Sequence, residues 1–340
     1  MTAEAPPFWW RQHDWRALLL YPVSTIYGVV AKKRLEAAAP PGAGIPVLCV
    51  GNLTVGGSGK TPVAVTIAKA AKKIGFKPGF ISRGYGGGMK EPHLADLNEH
   101  SVWHSGDEPL LLAAHAPTAV SVNRLSAAKL LIEQGCDFAI MDDGFQSARL
   151  RYDYALIVVD SSRGIGNGHV IPGGPLRAPL GPQLRLADAI VVIDQGTAAD
   201  QVVRQAAQAA KPVYSAMTRI VGPRKFSGKR YLAFSGIGNP AKFFESLRST
   251  GAEVVTKREF GDHHVFTQAE LEELASHATR ENLQLVTTEK DAVRFLNGNA
   301  AAKEFLSALE VMKISIEFDP AGVAEQVVRE TVVNFKRRES

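Results

Sequence analysis

Residues 51–61 read Gly51-Asn52-Leu53-Thr54-Val55-Gly56-Gly57-Ser58-Gly59-Lys60-Thr61, and this stretch limits the fold more tightly than any other. An apolar run at 45–50 precedes it, and a run at 62–70 that opens with Pro62 follows. The glycine-rich segment therefore sits where a buried strand turns into a helix. That is the context of a phosphate-binding loop. Its glycines let successive backbone N–H groups converge on phosphate oxygens, and the helix N-terminus adds its positive end. Lys60 is placed for the outer phosphates of a nucleotide and the Thr61 hydroxyl for Mg²⁺. The strict G-x-x-x-x-G-K-[ST] pattern has glycine where this chain has Thr54. The plain alternative is a glycine-rich turn that happens to precede a lysine; strand, Gly-Lys-Thr and helix in register argue against it.

A chain of 340 residues has room for two domains, each with its own core. With 45% hydrophobic and 21% charged residues it is a folded protein, not a disordered one. The net charge of +5 suits an anionic partner, whether nucleotide, acidic lipid or nucleic acid, and does not choose among them. Cys49 and Cys136 form neither a disulfide framework nor a metal pattern, which makes a reducing cytoplasmic compartment the default. The first fifteen residues are polar and aromatic with no cleavage site after an apolar core, so no signal peptide is expected.

Trp9, Trp10 and Trp15 crowd the N-terminus, and Lys32, Lys33 and Arg34 close the apolar segment that follows. The uncharged stretch at 17–31 is shorter than the roughly 20 apolar residues of a membrane span and is interrupted by Pro22, Ser24 and Thr25. Aromatic residues with basic flanks suit an interfacial anchor on anionic lipid; a helix packed on the protein's own core has similar composition. Residues 37–44, rich in Ala, Pro and Gly, read as a linker.

Beyond the loop, a strand at 77–82 runs into Arg83-Gly84-Tyr85-Gly86-Gly87-Gly88, a glycine-rich turn on the ligand edge of an open α/β sheet. Arg83 and Tyr85 make ligand contact about as plausible as a surface loop. Asp107 and Glu108 open a short helix, and their spacing alone favours a capping role. The strand at 138–142 ends in Asp142 and Asp143, the first choice for the carboxylates that support Mg²⁺ in P-loop proteins. Asp160 and Asp194 end two other strands and are rivals for that role. Residues 161–182 form a long loop holding Arg177, and ordered loops of that length are often functional. A boundary falls at 222–229, and a second α/β unit begins at 231–240. Within it Asp262-His263-His264 reads three ways: a metal site lacking further ligands, a surface pair, or a proton-handling pair beside a carboxylate.

Together the motifs Gly51 to Thr61, Ser82-Arg83-Gly84-Tyr85-Gly86-Gly87, Gly106-Asp107-Glu108-Pro109, Asp142-Asp143-Gly144-Phe145-Gln146, Gly173-Gly174-Pro175-Leu176-Arg177, Gly236-Ile237-Gly238-Asn239-Pro240, Asp262-His263-His264 and Thr288-Glu289-Lys290-Asp291 resemble those of the tetraacyldisaccharide 4'-kinases, the lipid A 4'-kinases. The resemblance covers nearly the whole chain. It implies a P-loop NTPase-like, mainly parallel α/β sheet flanked by helices over 38–222, a smaller α/β domain over 223–340, and a membrane-associated helix over 1–37. It also implies transfer of the ATP γ-phosphate to the 4'-hydroxyl of tetraacyldisaccharide 1-phosphate at the cytoplasmic face of the inner membrane. No nucleic acid and no obligate protein partner are implied.

By the same resemblance, Asp107 looks like the base and His263 like its partner, which reverses the cap-first ranking. Residues 54–61 would hold the phosphates, and Thr61, Asp142 and Asp143 the Mg²⁺. Arg83, Tyr85, Glu108, Arg124, Gln146 and Arg177 would contact substrate or stabilise charge. Members of the family often have an acid where this chain has Ala178 and a histidine where it has Ser147, so roles at those two positions do not carry over. A P-loop GTPase acting through a protein partner is disfavoured, because Thr288-Glu289-Lys290-Asp291 lacks the spacing of an Asn-Lys-x-Asp guanine reader. A nucleic-acid ATPase is disfavoured by dispersed basic residues.

Overall fold

The computed structural model describes residues 5–36, 40–147, 149–298 and 300–340; the expected domain limit at 37 and the first part of the expected linker lie outside them. The first eight strands are β1 (Val47–Asn52), β2 (Pro78–Ser82), β3 (His93–Leu94), β4 (Thr118–Val120), β5 (Phe138–Asp142), β6 (Tyr154–Asp160), β7 (Ala189–Ile193) and β8 (Val213–Ile220). The chain then forms β9 (Arg230–Ser235), β10 (Glu253–Glu259), β11 (Gln284–Thr288), β12 (Leu309–Met312) and β13 (Ile314–Asp319). Among the described residues these make a nine-stranded sheet in the order β13-β8-β7-β6-β1-β5-β2-β4-β3 and a four-stranded sheet in the order β10-β9-β11-β12.

The larger sheet is parallel except at its edges, where β3 and β13 run antiparallel to their neighbours. Helices on both faces explain why its central strands are continuous apolar runs and not alternating ones. Val47, Leu48, Cys49 and Val50 of β1 are all fully buried, and Leu48 and Val50 pack with Val63 and Ile67 of the helix Lys60–Lys73. Each such aliphatic side chain contributes about 1.5–3 kcal/mol on burial. β1 lies between β5 and β6, so the chain leaves it at the point where strand order reverses, and the crevice at the carboxyl ends there is the ligand position of open α/β sheets.

The smaller sheet has its own core of Leu232, Phe234, Leu271, Leu285, Phe295 and Phe305. The end of the chain departs from the expected division. β13 pairs with β8, and the helix Val323–Glu339 buries Val323, Ala324, Val327 and Val328 in the larger domain's core beside Val63 and Ile67. Alternation in β13, with Ile316 and Phe318 buried and Ser315, Glu317 and Asp319 outward, suits an edge strand covered on one face. Residues 314–339 therefore belong with the large sheet, outside the unit expected over 223–340.

The N-terminal helix Trp15–Glu36 rests on the long loop at 161–182. Its small residues permit the approach: Ala17, Ser24 and Gly28 are turned inward, and the Gly173 amide donates to Ser24 Oγ at 2.9 Å. Trp9 Nε1 donates to the Pro172 carbonyl at 2.9 Å, which pins the preceding turn to the same loop. Among the described residues no helix is long and apolar enough to cross a membrane.

Candidate active site

Gly56 and Gly59 have φ of 104° and 80°, a left-handed backbone that favours glycine, and they turn the chain from β1 into its helix. Thr54 needs no glycine. It forms an antiparallel bridge with Leu176, so its backbone is extended, and its carbonyl accepts from Arg177 Nε at 3.1 Å. The long loop thus braces the phosphate-binding loop. Thr61, on the first turn of the helix, donates to Asp142 Oδ2 at 2.9 Å. Sheet register makes that contact possible, because Asp142 of β5 stands beside Val50 of β1.

Asp142 Oδ1 is buried and has no hydrogen-bond partner. Burial, with Glu108 nearby, pushes this carboxyl up to about 7 against the pull of Lys60. Burial acts the same way on Asp143, but Lys60 and Arg177 outweigh it and hold that carboxyl at about 2. Arg177 grips Asp143 with both terminal nitrogens, at 2.8 and 3.0 Å, and Lys60 Nζ stands 3.8 Å from Asp143 Oδ1. Arg124, 3% exposed, donates to the Asp143 carbonyl at 2.8 Å and keeps its other terminal nitrogen unpaired. Gln146 donates to the Asn52 carbonyl at 2.7 Å. The rivals Asp160 and Asp194 turn elsewhere: each carboxylate lies 2.8 Å from Lys242 Nζ, in the helix Pro240–Ser249.

A second cluster stands over this one. Asp107 begins the helix Asp107–Ala113 and is 5% exposed. Its Oδ1 accepts from the Glu108 amide at 2.9 Å, a remnant of the capping role, while Oδ2 accepts from His263 Nδ1 at 2.9 Å. Burial opposes ionisation of Asp107. The His263 hydrogen bond and the charges of Lys290 and Arg294 more than offset that, leaving the carboxyl well below the usual carboxylate range. His263 Nε2 faces Lys290 Nζ at 3.3 Å, nearer than Asp262 Oδ2 at 3.8 Å, while Nδ1 meets the Asp107 carboxylate. That pairing matches the tautomer with the proton on Nδ1. Tyr85 lies against the His263 ring, centroids 5.6 Å apart, whereas Arg83 is exposed on the same turn. His264 turns away to Glu270 at 3.0 Å, so the two adjacent histidines do not share a ligand.

The two clusters form one site. A Cβ placed on Gly238 would stand 3.8 Å from the Gly57 amide and 3.2 Å from Asp262 Oδ2, so the smaller domain's loop lies directly on the phosphate-binding loop. Two residues that carry weight here were not singled out from the sequence. Lys290, inside Thr288-Glu289-Lys290-Asp291, lies 3.6 Å from both Glu108 Oε1 and Asp262 Oδ1, and although burial disfavours its charge, Asp107, Glu108 and Asp262 raise its pKa. Arg294 is tied to Asp107 and to Asp291, and nothing local in the sequence marks it.

A glycine-rich loop between a central strand and a helix, with an acid at the end of the adjacent strand, defines a P-loop nucleotide-binding protein, and the carboxylate–histidine pair is an arrangement that can handle a proton. The model of the tetraacyldisaccharide-1-P 4'-kinase family matches residues 16–332. The tetraacyldisaccharide 4'-kinase of Mesorhizobium japonicum is 51% identical over 339 residues, and that of Brucella suis 52% identical over 338, each alignment covering 99% of both chains. The crystal structure of LpxK from Aquifex aeolicus in complex with ATP shares the fold, with a TM-score of 0.72 at 23% identity over 93% of this chain and 99% of that one. The chain belongs to the tetraacyldisaccharide 4'-kinase family and is a kinase.

Proposed function

We propose that this kinase transfers the γ-phosphate of ATP to the 4'-hydroxyl of tetraacyldisaccharide 1-phosphate at a membrane surface, and that Asp107 receives the hydroxyl proton. The observation that carries the reading is the contact between Asp107 and His263, next to Asp262 and the Gly238 loop that lies on the phosphate-binding loop. The acceptor oxygen forms a bond to the γ-phosphorus as the bond to the bridging oxygen breaks, ADP leaves, and the proton passes to the carboxylate. Such transition states are loose, so the oxygen becomes acidic late and even a weakly basic carboxylate suffices if it is well placed. His263 holds the carboxylate by its Nδ1 proton.

Backbone amides of residues 54–59 and Lys60 are suited to hold the phosphates, and Arg177 and the unpaired nitrogen of Arg124 to meet developing charge. The unpaired, buried Asp142 Oδ1 and the Thr61 hydroxyl beside Asp142 Oδ2 form a hard oxygen donor set that fits Mg²⁺, with Asp143 held alongside by Arg177. When bound, that ion neutralises phosphate charge. Closure of the smaller domain over the loop excludes water and limits wasteful hydrolysis.

The exposed apolar side of the helix Trp15–Glu36, with Lys32, Lys33 and Arg34 at its end, supports attachment to the cytoplasmic face of the inner membrane. The reading is tested by following labelled γ-phosphate from ATP into detergent-dispersed tetraacyldisaccharide 1-phosphate, with and without Mg²⁺. A labelled lipid that requires Mg²⁺ and is lost in Asp107→Ala supports it. Nucleotide binding without lipid product overturns the acceptor, and an Asp107→Ala enzyme that retains its rate overturns the assigned base.

A further inference from the structure

We infer that Arg294 is a positioning residue for the transfer: it fixes the Asp107 carboxylate and, through the same guanidinium, ties the loop carrying His263 to it. The inference rests on the role proposed for Asp107. Arg294 lies in the one-turn helix Val293–Phe295 of the smaller domain, and its side chain is 4% exposed. Nε and one terminal nitrogen reach Asp107 Oδ2 at 3.3 and 2.9 Å. The other terminal nitrogen donates to Asp291 Oδ1 at 2.6 Å, to the Gly236 carbonyl at 3.0 Å and to the His264 carbonyl at 3.4 Å. One planar group therefore connects four points: the carboxylate, a buried acid, the loop at 236–240 that lies on the phosphate-binding loop, and the backbone beside His263.

Geometry and charge both give this a catalytic consequence. A carboxylate alone can turn about its Cβ–Cγ bond. Here Oδ2 is held between His263 and the Arg294 fork, and Oδ1 between the Glu108 amide and the remaining space. A fork donating along fixed directions restrains rotation in a way that a lysine's point charge does not. Asp291 is itself held, accepting from Ser235 Oγ at 3.0 Å, Thr288 Oγ1 at 2.7 Å and the Gly236 amide at 3.0 Å, so the far end of the bridge is anchored in the small domain's sheet. The groups facing Asp107 are His263 and Lys290 from the small domain, Arg294, and the neighbouring Glu108 on its own helix. Arg294 and Lys290 are the two cations that, with the His263 hydrogen bond, keep the carboxyl ionised despite burial.

Steady-state transfer by Arg294→Gln and Arg294→Lys, each in the wild-type and Asp107→Asn backgrounds, tests the inference. In the wild-type background we expect kcat to fall about 10–100-fold while KM for ATP stays within about two-fold, because positioning and not nucleotide binding is lost. The acid limb of kcat/KM should move up in Arg294→Gln and return in Arg294→Lys, which restores charge without the fork. In the Asp107→Asn background neither substitution should cost more than about two-fold. Equal losses in both backgrounds with an unmoved acid limb would mean that Arg294 only supports the fold, and would overturn the inference. Wild-type transfer by Asp107→Asn itself removes the assigned base and the inference with it. Arg294→Lys, which retains the buried charge, carries the comparison alone if Arg294→Gln does not fold.

Discussion

His263 Nδ1 stands 2.9 Å from Asp107 Oδ2 although the two residues are 156 positions apart, one at the start of a helix beside the large sheet and the other in a turn that follows β10 of the small one. The contact exists only while the smaller domain rests on the larger one, so the site is complete only when the domains meet. Asp107→Ala should lower transfer by about 10²–10⁴-fold and leave ATP affinity within a few-fold, since the carboxylate is not part of the phosphate-binding loop. His263→Ala should cost less, and the double variant no more than Asp107→Ala alone, because the histidine acts through the carboxylate. Label-transfer rates and calorimetric ATP binding on the three variants decide this; additive losses would mean that His263 has an independent role.

Asp142 gives a pH-dependent signature without turnover. Burial and Glu108 raise its carboxyl to about 7, above the value near 4 of an unfolded chain. Between those values the folded state binds more protons than the unfolded state, so metal-free stability falls as pH rises through the window and levels off above it. Asp142→Asn lacks this titration. In chelator its melting temperature should exceed that of the wild type by a few degrees at pH 8, with the gap shrinking toward pH 4. Added Mg²⁺ should raise the wild type more than the variant. A gap that is constant with pH would show that Asp142 is ionised throughout.

What the sequence made legible was local. Residues 45–50, the glycines and Lys60-Thr61 announce strand, loop and helix in one uninterrupted stretch, and the apolar run ending at Asp142 marks the adjacent strand. Asp107 was ambiguous because a carboxylate at a helix start satisfies the capping pattern whether or not a distant histidine meets it; the resemblance, not the spacing, ranked the base first. Arg294 was invisible for a related reason, its partner Asp107 being 187 residues away. The return of β13 to the large sheet was likewise hidden, since edge pairing depends on which edge is free, and Ile314 to Asp319 alternate as they would in either sheet.

Lys242 makes the closed arrangement separately testable. Its Nζ lies 2.8 Å from Asp160 Oδ2 and 2.8 Å from Asp194 Oδ2, so one small-domain cation bridges the ends of β6 and β7 beside the phosphate-binding loop. Burial disfavours its charge, but the hydrogen bonds it donates to both carboxylates outweigh that and raise its pKa. Lys242→Met should loosen the domain contact, while Ser162 and Thr218 continue to donate to the two carboxylates. The expected result is a several-fold rise in ADP released per lipid phosphorylated, from water reaching the γ-phosphate. An unchanged ratio of hydrolysis to transfer would show that the bridge does not govern closure.

The helix Trp15–Glu36 divides its surface unequally. Ala17, Ser24 and Gly28 face the loop at 161–182, whereas Leu18, Leu19 and Ile26 are 64%, 71% and 67% exposed and Trp15 is 67% exposed. Side chains of this size gain about 1.5–3 kcal/mol each on leaving water, which favours insertion at a lipid interface, and Lys32, Lys33 and Arg34 add attraction to anionic headgroups. Leu19→Glu/Ile26→Glu should therefore reduce co-sedimentation with anionic vesicles at least ten-fold, with ATP binding and melting temperature unchanged, because neither side chain is packed against the protein. Reversing Lys32, Lys33 and Arg34 to glutamate should weaken binding to anionic vesicles and leave binding to zwitterionic ones unaltered. Sedimentation of the Leu19→Glu/Ile26→Glu protein as complete as that of the wild type would show that another surface holds the enzyme to lipid.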